Sequence, residues 1–154
     1  NLINEGTHGI RALDLLGRKV LADGGQALAS FAAQVRAFSV DAPLHREALQ
    51  ASLARLEATS AWLRARAAED ANLVSAVAVE YLQLFGLTAY AYMWARMAKV
   101  AQAKIASDGE SAYLTSKLTT GRFFMERVLP ESAAHLARLQ TGSATMMEMP
   151  AEAF

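Results

Sequence analysis

Cysteine is absent from this chain of 154 residues. No disulfide holds the fold, and no thiolate serves as nucleophile or metal ligand. The absence fits a reducing compartment, and a cytoplasmic location is the expectation. Proline is scarce, at 3 residues, and glycine modest, at 9, so little in the chain breaks helices. Neither sign of charge prevails, with 15 basic and 15 acidic residues. Such a balance gives no long-range pull toward nucleic acid or an anionic membrane surface. His8, His45 and His135 are far apart, and no HExxH pattern joins two of them on one helical turn, so no metal site is expected. Each histidine is expected at the surface or at a helix end. Neither GxGxxG nor GxxxxGK[ST] occurs, which argues against a self-contained nucleotide domain. Nothing resembles a nucleophile elbow. No period-two alternation and no internal repeat is visible. The chain opens Asn1-Leu2-Ile3-Asn4 with neither a methionine nor a basic, apolar signal segment.

What remains is helical periodicity. A first helix is expected from about His8 to Leu21, with Ile10, Leu13, Leu16 and Val20 on its apolar face, ended by Asp23-Gly24-Gly25. A second spans about Gln26 to Val40 and buries Leu28, Phe31, Val35 and Phe38. Asp41-Ala42-Pro43 then reads as a cap with proline in the first turn of a third helix, which reaches about Ala68 and carries Leu49, Leu53, Leu56 and Leu63, with Trp62 beside them. The fourth helix is long, from about Asn72 to Ala106. A fifth runs from about Glu110 to Val128, Pro130 interrupts, and a further one covers Glu131 to Gln140. The tail from Ser143 onward reads as irregular. The fold class is therefore all-α, an antiparallel bundle of about five or six helices with an extended N-terminal lead-in.

Leu73 to Trp94 carries a single formal charge, Glu80, and approaches membrane-spanning length. Glu80, Gln83, Ser75 and Thr88 interrupt it, so a central bundle helix is expected and no membrane span. Tyr81, Phe85, Tyr90, Tyr92, Met93 and Trp94 cluster there. They read as core packing with tyrosine hydroxyls at the rim rather than as an acyl-chain or cofactor box. Lys117, Arg122, Glu126 and Arg127 read as solvated helix faces.

The segment with chemical content is Asn4-Glu5-Gly6-Thr7-His8-Gly9-Ile10. It is a carboxylate on a glycine-bounded loop before a helix start, where Thr7 is placed to cap the helix and the new N-terminus offers backbone donors. By itself this pattern reads as an ordinary capped loop with a solvated glutamate, with a proton-abstracting site as the alternative.

Glu5-Gly6-Thr7 with Ile10 is similar to the EGT-x-x-I segment of acyl-CoA dehydrogenases. The continuation Ala12-Leu13-Asp14-Leu15-Leu16-Gly17-Arg18-Lys19 resembles the long subfamily with an extra C-terminal domain, which includes the methylmercaptopropionyl-CoA dehydrogenases. Further matches are Tyr81-Leu82-Gln83-Leu84-Phe85-Gly86, Lys117-Leu118 through Arg122-Phe123-Phe124, and Val128-Leu129-Pro130. The resemblance covers nearly the whole chain. It implies that residues 1–12 close the catalytic domain and that 13–154 form the C-terminal helical domain. It implies Glu5 as the base that removes the substrate α-proton, Gly6 against the thioester, and Thr7, His8 and Gly9 on the flavin side. The implied cofactor is FAD, the implied substrate an acyl-CoA, and the implied electron acceptor electron-transferring flavoprotein, in a homodimer joined by helical surfaces. Asn4 stands where the family usually has tyrosine, and Arg11 where it usually has glutamine. The remaining walls of such a site lie upstream, so this chain alone is expected to be mainly structural and inactive. Two other readings stay open: a stand-alone helical interaction module, and a superfamily member that has lost dehydrogenation.

Overall fold

The computed structural model describes residues 7–153, which excludes Glu5 and Gly6. Helix α1, His8–Leu13, continues directly into a π-helical stretch, Asp14–Leu21, marked by the N–H of Ala22 donating to the Gly17 carbonyl at 3.0 Å. Next come α2 (Gln26–Val40), α3 (Arg46–Arg66) and α4 (Leu73–Asp108). Helix α5 (Ala112–Phe123) also ends in a π stretch, Phe124–Val128, and α6 (Glu131–Gln140) follows. No strand occurs among the described residues. The tail is less irregular than its sequence implies, because it holds a short α7 (Ala144–Met147) and a 3-10 turn (Ala151–Ala153).

The loops show how the elements are stopped and joined. The Asp23 carboxylate accepts from the N–H groups of Gly25 at 2.7 Å and Ala27 at 2.8 Å. Those bonds, Ala27 foremost, hold its pKa below the usual carboxylate value. Gly25 precedes α2 with φ +85°, and a side chain there would strike the Arg64 guanidinium. Arg64 in turn donates to the Gly24 carbonyl at 3.0 Å, fastening the end of α3 to this turn. The expected cap at Asp41 with Pro43 in the first turn of α3 does not form. Asp41 closes α2 instead, and α3 starts only after His45, which has φ 69°. The displaced start puts Arg46 where it donates to the last carbonyls of α2, Ser39 at 2.8 Å and Val40 at 2.6 Å.

Helix α4 is the spine, packed by α1, α3, α5 and α6. Leu16, Leu56, Leu63, Tyr81, Leu84 and Leu139 belong to one buried cluster around its first half. Val35, Leu49, Leu53, Leu87, Met125 and Leu129 belong to a second cluster around its middle. Phe31 packs on both. Leu49, Leu53, Leu56 and Leu63 are all buried, as their spacing predicts. On α1 the face is turned: Ala12, Leu16 and Val20 are buried, while Ile10 is 66% and Leu13 41% exposed. Two buried hydroxyl pairs, each 2.7 Å apart, tie α3 to α4. They join Ser52 to Thr88 and Ser60 to Tyr81.

By length and composition α4 is apolar enough to cross a membrane. In this fold its polar interruptions have protein partners: Thr88 on α3, and Glu80 on α6.

Candidate functional site

The described part of the N-terminal edge is Thr7, His8 and Gly9, at the opening of α1. Thr7 is exposed, His8 half-buried and Gly9 exposed. The Thr7 side chain makes no capping bond, contrary to the sequence expectation. Its φ of −93° and ψ of 3° are not the extended backbone typical of a side-chain cap. Its carbonyl accepts from Arg11 N–H at 2.9 Å. Among the described residues nothing lies within 4 Å of a Cβ added at Gly9. Glu5 and Gly6 lie outside the described residues, and their geometry relative to Thr7 is not part of the structure. Thr7, His8 and Gly9 bring a hydroxyl, a ring nitrogen and backbone N–H groups to this edge. They form no enclosing cradle by themselves.

A second polar group was not legible in the sequence. His135 on α6 is not a surface histidine; its side chain is 15% exposed and faces α4. Its Nδ1 lies 2.5 Å from a Glu80 oxygen, and the Nε of Arg138 donates to the other Glu80 oxygen at 3.0 Å. A ring nitrogen facing a carboxylate carries the proton, so Nδ1–H donates to Glu80. The single charge in the apolar run is thus a clamp holding α6 on α4. Among the described residues no group of three or more His, Asp and Glu is placed to hold a metal.

His45 does sit at a helix end, but its Nε2 is buried without a hydrogen-bond partner among the described residues. Burial lowers its pKa, opposed by the nearby Glu126 carboxylate. The ring abuts Gly121, where an added Cβ would lie 3.6 Å from Nε2 and 3.5 Å from Trp94.

The aromatic cluster of α4 divides. Phe85 stacks on Phe31 with centroids 5.3 Å apart, and Tyr92 meets Phe38 edge-on at 5.4 Å. Tyr81 is fully buried and its hydroxyl is not at a rim; it faces Ser60. Tyr90 and Met93 are not core, being 63% and 47% exposed. Met93 lines a cleft of about 350 Å³ between the end of α4 and the start of α5. Of the expected solvated faces, Arg122 and Glu126 are exposed and paired at 2.7 Å.

The family profile described as acetyl-CoA dehydrogenase C-terminal like matches residues 27–150. The chain belongs to this family. It is also 36% identical over 144 residues to a 3-methylmercaptopropionyl-CoA dehydrogenase of Ruegeria pomeroyi. That match takes in 89% of this chain and 24% of the relative, so the chain spans about a quarter of the relative's length. The acetyl-CoA dehydrogenase C-terminal-like match begins inside α2, downstream of the Thr7–Gly9 edge, and takes in the α4 spine and the Glu80–His135–Arg138 clamp.

Proposed function

We propose that this chain is the C-terminal part of a flavin-dependent acyl-CoA dehydrogenase, with a mainly structural helical domain that by itself has no dehydrogenase activity. The observation that carries the reading is the 36% identity over 144 residues to a named acyl-CoA dehydrogenase. In the whole protein Glu5 takes the α-proton of an acyl-CoA thioester, with Gly6 against the thioester. Thr7, His8 and Gly9 face the flavin. FAD supplies the hydride acceptor when bound. The chain's own contribution is a carboxylate positioned for proton removal, an effect typically worth about 10²–10⁴-fold. Electron-transferring flavoprotein reoxidises the cofactor, and the protein works as a homodimer in the cytoplasm. The exposed Ile10 and Leu13 beside Thr7–Gly9 support the reading, because an apolar edge of this kind suits cover by a further domain.

Glu5→Gln in the full-length protein is the test. The expected variant binds FAD normally and oxidises acyl-CoA at least about a hundredfold more slowly. Unchanged turnover would remove Glu5 from the mechanism. Flavin-free protein with no activity on any acyl-CoA would overturn the enzyme reading.

A further inference from the structure

The end of α4 and the start of α5 form a cleft with a mixed apolar and basic lining. Its apolar lining includes Met93, Met97, Val100, Tyr113 and Leu114. Arg96, Lys104 and Lys117 line it, and among the described residues no carboxylate does. The chain as a whole is balanced, with 15 residues of each sign, so this run of cations is a local feature. Among the described residues none of the three cations makes a salt bridge. Three of its apolar lining residues lie outside the core, with Tyr113 68%, Val100 56% and Met93 47% exposed.

The opposite chemistry lies in the tail. From Ser143 to Phe154 the sequence holds Glu148 and Glu152 and neither lysine nor arginine. Met146, Met147 and Met149 are 64%, 61% and 57% exposed. Methionine adapts its shape to an irregular apolar surface. The tail is therefore an acidic, methionine-rich segment that matches the cleft in both charge and apolar character.

A chain cannot use its own tail for this. The hydroxyl of Ser143 donates to Asp70 at 2.5 Å, which anchors the tail at the start of α4. Met97 lies 24 residues along α4 from Leu73, about 36 Å at the helical rise. The tail's own path to Ala153 through α7 and the 3-10 turn reaches about 25 Å at most. A second copy removes the difficulty. A two-fold axis across α4 sets the two α4 helices antiparallel, so that the tail end of one copy lies beside the cleft end of the other. Pairing cleft with cleft would instead oppose like charges.

We propose that the α4–α5 cleft receives the Met146–Glu152 segment of a second copy of this chain, reciprocally, in a two-fold dimer. This gives a surface to the homodimer of the preceding section and is independent of its flavin chemistry.

The experiment mixes ordinary and heavy-nitrogen-labelled intact protein and treats the mixture with a carbodiimide, which joins lysine amines to carboxylates. Mass spectrometry is expected to find mixed-isotope links from Lys104 or Lys117 to Glu148 or Glu152. Lys104→Glu with Lys117→Glu should weaken self-association about tenfold or more in sedimentation, as should Glu148→Lys with Glu152→Lys. Mixing the two variants should restore association. A dimer that lacks these links and ignores the charge reversals overturns the proposed surface and leaves the dimer standing. Links from these lysines to another part of the same chain also overturn it, by naming a different occupant. A monomer overturns both the surface and the dimer, whereas flavin content and turnover bear on neither.

Discussion

The two halves of α4 use their inward faces in opposite ways. From Leu73 to Leu87 the buried positions include Leu73, Val77, Tyr81, Leu84 and Leu87. From Ala91 onward every buried residue is alanine: Ala91, Ala95, Ala98 and Ala101. Among the bulky residues of the second half, Met93 and Val100 point outward, whereas Tyr92 and Trp94 pack from the flanks onto the second cluster. Small residues on the inner face let α5 lie close, and the buried Gly121 of α5 serves the same approach beside Trp94. The first half is held by buried volume and the second by proximity. Met93 and Val100 are therefore left outside the chain's own core, on the face where the proposed dimer contact lies.

Substitution can separate these two modes. The largest effect is expected from Leu84→Ala, fully buried in the first half, which should cost about 2–5 kcal/mol in urea unfolding. Val100→Ala, in the second half, should stay within about 0.5 kcal/mol. Equal losses at the two positions would erase the distinction. Ala98→Leu should cost about 1–3 kcal/mol by overpacking the close approach. A stabilised variant would mean that the alanine face has room to spare.

Next come the hydroxyls of the first half. Ser60 spends its proton on the Leu56 carbonyl at 2.7 Å, so Tyr81 must be the donor in their pair. Ser60→Ala then strands a buried phenol and should cost about 1–3 kcal/mol, whereas Tyr81→Phe should cost about 0.5–1.5 kcal/mol. Burial pushes the Tyr81 pKa up to about 12 from 10.0. The native state therefore favours the protonated phenol. The associated stability is complete below pH 10 and declines as pH rises toward about 12. Tyr81→Phe should flatten that alkaline decline, as read by denaturation midpoints at successive pH values. The smallest effect belongs to the exposed Arg122–Glu126 pair. Arg122→Ala should leave the urea midpoint unchanged.

Helix identity was legible in the sequence because apolar spacing is a local signal. α2, α3 and α4 appear close to where their patterns place them. The start of α3 was misjudged because Asp41 and Pro43 satisfy local capping rules, while Arg46 serves the carbonyls of α2 from across the loop. The apolar face of α1 was misread because Ile10 and Leu13 have helical spacing, yet α4 meets the side bearing Ala12. The pairing of Glu80 with His135 spans 55 positions, and no spacing rule connects residues so far apart. Of the N-terminal site, spacing showed only a carboxylate before a helix. Resemblance supplied the role of Glu5, and the structure describes the edge from Thr7 onward.

Because one unbroken helix of 36 residues passes through both apolar clusters, neither can loosen without disturbing the other. Phe31 bridges them a second time. The domain is accordingly one cooperative unit, and amide protons on α4 from Val77 to Ala95 should exchange with solvent together, by global opening, rather than in two separate populations.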